Sequence, residues 1–452
     1  MRFLTIGLGH CGGKIANDFK KVALEEQGLI VEVCAINTDR ADLATHKFIP
    51  EDQKLVIGTG KGAAKNWQEG MEAASQSLTN IREFVKRLLT PDTDVVLITA
   101  GEGGGSGSGI APTVAEVIGK LGRTCTAIVT LPFENESVKA KVNAAMGLDM
   151  LYREEALKAL ICIDNDKITA HFPEKIITEA YERANRSAVG TFVNLLRLAR
   201  TPSLADRIDE SELTTIFDYP GFATLANYNT KANLTQDLAA MLRHSWNGSL
   251  LAEVDSKTAT GAIFGVQGPE HLFTATQVDA VRRTFSEVLI GRDIMLGVYP
   301  TKQSRWTSYV GILSGMGVPE KVKMLLEMAK EEAKAHKSLL EERRKMKREG
   351  LGFDLDLDNK GTLTRVSQSS RTLKPKTALK IDRSSVEFKK YLEESLQFIH
   401  ERKGETYPRD ELVNLLVEWV DIQDNDTAST ILDVLAEEGY IVETKKNLFL
   451  IL

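Results

Sequence analysis

Ala100-Gly101-Glu102-Gly103-Gly104-Gly105-Ser106-Gly107-Ser108-Gly109 stands between an apolar run at 94–99 and an apolar helical pattern at 110–121. Gly/Ser tracts that serve as flexible linkers lie in polar chain; they do not join a buried strand directly to a buried helix. A glycine loop that opens a helix offers an anion free backbone N–H groups and the positive end of the helix dipole. Here the hydroxyls of Ser106 and Ser108 stand beside them. The stretch has no Gly-Lys-Ser/Thr ending, so it is not a Walker-type P-loop. A second loop, Gly7-Leu8-Gly9-His10-Cys11-Gly12-Gly13-Lys14, follows the apolar run 3–7 and opens another helical pattern. Its spacing satisfies G-x-G-x-x-G, whose glycines let backbone approach a pyrophosphate.

Outward from these loops, apolar runs at 3–7, 30–36, 94–99, 126–131 and 159–163 alternate with helical patterns. That alternation predicts an α/β fold: a parallel sheet over residues 1–172 with helices on both faces and its ligand at the carboxyl ends of the strands. Apolar residues at helical spacing from 173 to 202 predict a largely buried central helix. Helical and strand-like runs over 203–318 read as a second α/β domain, and 319–348 as a charged surface helix. The Asp-rich then Ser/Thr/Lys/Arg-rich stretch 349–383 reads as a flexible linker. Residues 384–452 read as three helices at 386–400, 409–418 and 426–438, then a hairpin turning near Lys445-Lys446-Asn447, a small winged-helix-like domain.

Composition sets the outer bounds. A 452-residue chain exceeds one hydrophobic core, and 42% hydrophobic with 27% charged residues is ordinary for a globular protein. No apolar run approaches the ~20 residues of a transmembrane helix, and the N-terminus lacks a signal-peptide pattern. Cys11, Cys34, Cys125 and Cys162 have no CxxC spacing, so neither a zinc site nor a disulfide framework is read, and a cytoplasmic location is expected. The net charge of −6 disfavours nucleic-acid binding by the chain as a whole.

The ordered loops resemble those of the tubulin/FtsZ superfamily. Gly103 to Gly109 is similar to its signature G-G-G-T/S-G-T/S-G, and Gly9-His10-Cys11-Gly12 to its first loop, G-Q-C-G. Asn37-Thr38-Asp39, Gly58-Thr59-Gly60-Lys61-Gly62-Ala63, Pro132-Phe133-Glu134-Asn135-Glu136 and Asp164-Asn165-Asp166-Lys167 follow in the family's order. Residues 180–185, with Tyr181 and Asn185, resemble the start of its central helix. The resemblance covers residues 1 to about 318 and implies a GTP/GDP site with Mg²⁺ held mostly by phosphate and water. It carries the nucleotide contacts to Gly9, His10, Cys11, Gly12, Gly13, Asn37, Gly101, Gly103, Gly104, Gly105, Ser106, Gly107 and Ser108. Glu136 falls at the ribose, Asn165 is a further nucleotide contact, and Tyr181 and Asn185 lie toward the base. Arg207-Ile208-Asp209-Glu210-Ser211-Glu212 resembles the family's synergy loop, which implies Asp209 and Glu212 as acids for hydrolysis in a neighbour's pocket, within a head-to-tail homopolymer. The chain departs from the pattern at Ala140, where the FtsZ branch has Arg, at Arg186 after the base-binding Asn, and at Arg207 for Asn.

Two other functions match parts of the sequence. A nicotinamide-dependent dehydrogenase would end its second strand in an acid, whereas the run 30–36 ends in Asn37, and it has no use for the second glycine loop. A GTP-binding scaffold or switch that does not polymerise would act through residues 384–452. That module carries fifteen acidic and seven basic residues, a net charge of −8, and 426–438 has no Lys or Arg. A protein partner or adaptor is therefore expected there rather than direct nucleic-acid binding.

Overall fold

The computed structural model describes residues 2–25, 30–203, 206–232, 237–245, 250–289, 293–302, 304–349, 391–392, 394–396, 398–399, 406–420, 425–437, 441–445 and 448–451. The chain forms two compact units, Met1–Gly352 and Phe353–Leu452. The proposed linker at 349–383 lies outside the described residues except Glu349, as do Lys446 and Asn447 of the expected hairpin turn.

In the first unit, strands β1 (Arg2–Leu8), β2 (Ile30–Asn37), β3 (Lys54–Val56), β4 (Val95–Gly101), β5 (Cys125–Leu131), β6 (Leu157–Asp164), β7 (Gly221–Lys231), β8 (Gly261–Pro269), β9 (Asp293–Thr301) and β10 (Trp306–Met316) make one sheet. Its order is β3-β2-β1-β4-β5-β6-β7-β10-β8-β9. Every pairing from β3 to β7 is parallel; β10 runs antiparallel to both β7 and β8, and β8 pairs parallel with β9. The strands of residues 221–316 thus extend the sheet begun by the first six. β7 is absent from the sequence reading because it intersperses Gly, Ala, Thr and Asn among few large apolar residues, although its first six residues are all buried.

Successive strand residues point to opposite faces, and both faces are covered. Leu4, Ile6, Leu8, Val96 and Ile98 pack into one buried cluster with the helices Gly105–Lys120 and Val138–Arg153. Phe3, Val95 and Leu97 face the other, with the helices Gly9–Glu25 and Ile177–Leu198. Phe192 of the central helix meets Phe3 and Phe19 edge-on, at ring-centroid distances of 6.0 and 5.6 Å. The helix Glu320–Glu349 packs against Val138–Arg153, with Val322 and Leu325 buried in the first cluster. No helix among the described residues is long and apolar enough to cross a membrane.

In the second unit, helical residues between 391 and 399 precede β11 (Thr406–Pro408), the helices Arg409–Val420 and Asn425–Glu437, β12 (Ile441–Lys445) and β13 (Leu448–Ile451). The three strands form an antiparallel sheet in the order β11-β13-β12. Phe398, Leu412, Leu416, Ile431 and Leu435 make its core. β11 is a strand that the sequence reading did not contain.

Candidate nucleotide site

The first six strands stand in the order 3-2-1-4-5-6, so the direction of winding reverses between β1 and β4. The two glycine loops are the segments that leave β1 and β4, which places both at the switch point where open α/β sheets bind ligands. Gly9 begins its helix at φ +67°, a backbone that favours glycine, and a Cβ built there would lie 2.8 Å from the Gly107 nitrogen. A Cβ on Gly107 would press on the Gly101 carbonyl. The two loops therefore touch through backbone.

The helix after β4 starts at Gly105, five residues earlier than the sequence pattern indicates, because the glycines pack too closely for an apolar periodicity to appear. Its N-cap is Gly104, with no side-chain cap, so the first-turn N–H groups carry no capping side chain. A Cβ on Gly104 would meet nothing nearer than the Gly101 oxygen at 3.8 Å, so space remains beside it. The side chains divide differently from the expectation. The Ser106 hydroxyl lies 2.7 Å from that of Thr38. The Ser108 hydroxyl is buried and donates to the Glu102 and Gly104 carbonyls at 2.6 and 2.8 Å, which shapes the loop. Gly12 and Gly13 are likewise spent on packing, against the Thr99 carbonyl and the His46 ring. Burial, then the neighbouring His10, lowers the His46 pKa to about 4, so that ring is neutral at pH 7.

Around the rim, His10 Nδ1 lies 3.1 Å from Asp42 Oδ1, without hydrogen-bond alignment. Asn37 is fully buried, accepts the Asp39 N–H at 3.3 Å and donates to Asp42 at 3.4 Å. The Cys11 thiol is 3.4 Å from the Thr130 hydroxyl, and burial raises its pKa. Past β5, the Glu136 carboxylate accepts the Phe133 N–H at 3.0 Å and lies beside Gly103. The Phe133 ring meets Tyr181 edge-on at 6.1 Å, next to the buried Asn185. Asn165 opens a short helix capped by Asp164. Tyr181 and Asn185 thus share the sheet end that carries both glycine loops. Of the departures from the family pattern, Ala140 is buried, Arg186 is exposed and Arg207 donates to the Ala199 carbonyl at 2.9 Å.

Two residues escaped the sequence reading. Asn143, from the helix Val138–Arg153, donates to the Lys65 and Gly103 carbonyls at 3.1 and 3.3 Å and so joins the loop at 58–65 to the glycine loop. Glu102 lies inside the signature loop itself, fully buried, with neither carboxylate oxygen partnered, and burial pushes its pKa up to about 8. Nothing in the local spacing marks either residue, since both depend on tertiary neighbours.

Asp209 and Glu212 sit elsewhere. They form a reciprocal capping box on the helix Glu210–Ile216: Asp209 Oδ1 accepts the Glu212 N–H at 2.8 Å, and Glu212 Oε2 accepts the Asp209 N–H at 2.9 Å. The Glu212 N–H, and then the Ser211 hydroxyl at 2.7 Å, hold the exposed Asp209 carboxyl below its ordinary range. The loop is pinned to the far end of the central helix by the buried Tyr299 hydroxyl, which accepts the Ile208 N–H at 3.2 Å and donates to the Leu198 carbonyl at 3.0 Å. From Tyr181 to Leu198, a helix rising ~1.5 Å per residue spans about 25 Å. The acids therefore lie far from the glycine loops of their own subunit.

Two glycine loops meeting at the switch point of a parallel sheet define a nucleotide-binding α/β protein. Residues 2–172 match the family model for the Tubulin/FtsZ family, GTPase domain. Over 368 residues the chain is 30% identical to the tubulin-like protein CetZ of Pyrococcus abyssi, covering 79% of this chain and 98% of that one. It is 32% identical over 267 residues to the cell division protein FtsZ 1 of Methanocaldococcus jannaschii, covering 58% and 69%. Among solved structures, a GTPγS-bound protofilament of CetZ2 from Haloferax volcanii shares the fold at a TM-score of 0.66 and 22% identity, over 75% of this chain and all of that one. The chain belongs to the tubulin/FtsZ superfamily of cytoskeletal GTPases.

Proposed function

We propose that this protein binds GTP, assembles head to tail, and hydrolyses GTP only where the acidic loop of one subunit closes the pocket of the next. The observation that carries this reading is the separation just described: the two glycine loops at one end of the central helix, Asp209 and Glu212 at the other. Neither acid reaches its own nucleotide, yet stacking in one direction brings each pair to a neighbour's phosphates. The carboxylate oxygens left over from the capping box accept hydrogen bonds from the attacking water and take its proton. The phosphates sit on the first-turn N–H groups of Gly105, Ser106 and Gly107 and on the backbone of Gly9 and His10. Glu136 takes the ribose, while Tyr181, Asn185 and Asn165 face the base. Mg²⁺ keeps several waters and binds through substrate phosphates, so it would be coordinated chiefly by phosphate and water. Ser108 and Gly13 act through packing.

Residues 384–452 would form the partner-binding module. The order helix, strand, helix, helix, strand, strand supports a winged-helix-like fold, and the −8 charge favours a basic protein surface over DNA. The filament would serve cell division, DNA partition or intracellular scaffolding. Measuring phosphate release per subunit against protein concentration, with electron microscopy in parallel, tests the core of this. A steep rise above a critical concentration is expected, and Glu212→Ala should slow turnover while filaments persist. Turnover per subunit that does not change with concentration refutes the shared site.

A further inference from the structure

The first turn of the helix Glu320–Glu349 carries Lys321, whose ammonium contacts the carboxylates of both Asp164 and Asp166. This is not a loose surface pair: the side chains of Lys321 and Asp164 are only 10% and 11% exposed. Val322 and Leu325, on the same turn and the next, are buried in the core, so the lysine stands on a fixed base. Each aspartate does a second job. Asp164 caps the helix that begins at Asn165, accepting the Asp166 N–H at 3.1 Å. Asp166 accepts the Glu134 N–H at 3.1 and 3.2 Å through its two oxygens. Glu134 lies in the loop whose Glu136 braces Phe133, the ring that meets Tyr181. One cation thereby ties together the two loops on the base and ribose side of the site, from a helix far outside the motifs.

We infer that Lys321 is a positioning residue for the nucleotide: it clamps the loops 132–136 and 164–167, and so sets how fast a bound guanine nucleotide leaves. This rests on the nucleotide reading of the site given above. Removing the cation leaves a buried Asp164 carboxylate beside the half-exposed Asp166 carboxylate with no counter-charge between them, a change that drives them apart or pulls in water. Either response moves the Glu134 N–H and the Asn165 helix start, and with them the loop that carries Glu136. The phosphate end, held by backbone contact between the glycine loops, has no bond to Lys321 and should keep its affinity for inorganic anions.

The test follows release of a fluorescent GDP analogue from full-length protein below its assembly concentration, by stopped flow, with thermal melting alongside. Lys321→Met should speed release about tenfold, the equivalent of 1.4 kcal/mol, and Lys321→Arg should restore it to within about twofold. Asp166→Asn keeps an oxygen for the Glu134 N–H while removing one charge, and should give a smaller acceleration; it serves if Lys321→Met does not fold. A lowered melting temperature with release unchanged in the folded variants would make the cluster merely structural and overturn the clamp alone. Failure of the wild type to bind the analogue would instead sink the nucleotide reading, and the clamp with it.

Discussion

Glu102→Gln is the substitution that most directly interrogates the signature loop. The Glu102 N–H donates to the Thr130 carbonyl at 3.0 Å and its own carbonyl accepts the Ser108 hydroxyl, so the residue cannot swing out without rebuilding the loop. Its side chain lies against Gly147, where even a methyl group would collide with it, and neither oxygen has a partner. Burial raises the pKa from 4.5 to about 8, so the folded protein holds the acid neutral at pH 7 while the unfolded chain ionises it. The native state then binds the extra proton between those two values. Its stability contribution is complete below about pH 4.5 and declines as pH rises through about 8. The slope is about 1.4 kcal/mol per pH unit, or roughly 3 kcal/mol between about pH 5.5 and 7.5. His46, with its lowered pKa, contributes in the opposite sense over part of this window, but equally in both proteins. Urea unfolding midpoints measured at the two pH values in wild type and Glu102→Gln isolate the difference. The wild type should lose more stability on raising the pH, and the variant should lose about 3 kcal/mol less. Buried amide N–H groups without partners lower the variant's absolute stability, so the slope is the readout. Parallel pH profiles in the two proteins refute a buried neutral carboxyl in the glycine loop.

Gly107→Val should abolish nucleotide binding and lower the melting temperature, because a Cβ at that position presses on Gly101, whereas Gly104→Ala should fold normally and weaken binding only through the ligand's own approach; calorimetric titration with GDP separates the two. Tyr299→Phe, which unpins Ile208 from Leu198, should leave GDP affinity within about twofold and slow GTP turnover in the assembled protein about tenfold; equal turnover by phosphate release would show that the acid loop needs no such anchor. Deleting 384–452 should preserve GTP binding and alter filament bundling or remove a pulldown partner. Salt-sensitive binding of duplex DNA by full-length protein that is lost on this deletion would reverse the charge argument.

What the sequence discloses and what it hides divide along a physical line. Glycines at 9 and 107 are legible because backbone-to-backbone contact excludes every other side chain, so the requirement is written at the position itself. Five of the six parallel strands are legible for a similar reason, since burial on both faces leaves uninterrupted apolar runs, whereas β3 is only three partly exposed residues and leaves no such run. Glu102, Asn143 and Lys321 are not, because each acts on groups at least 28 residues away in the chain apart from the local Ser108 bond, and a single polar letter says nothing of who its neighbours are. Asp209 and Glu212 belong to a third kind. Their spacing is that of an ordinary capping box, and the box is present, so within one subunit the structural explanation is already sufficient. Under the proposed function, their distance along the central helix from the glycine loops is what would give the same carboxylates a second use, and only between subunits. The decisive comparison is therefore not Glu212→Ala alone but its mixture with a subunit whose glycine loop is blocked, such as Gly107→Val. Each variant lacks a different half of the composite site. Mixed filaments would still contain intact pockets facing intact acids, so turnover in the mixture should exceed that of either variant by itself. A mixture no faster than its components would mean that the acids serve their own subunit or none.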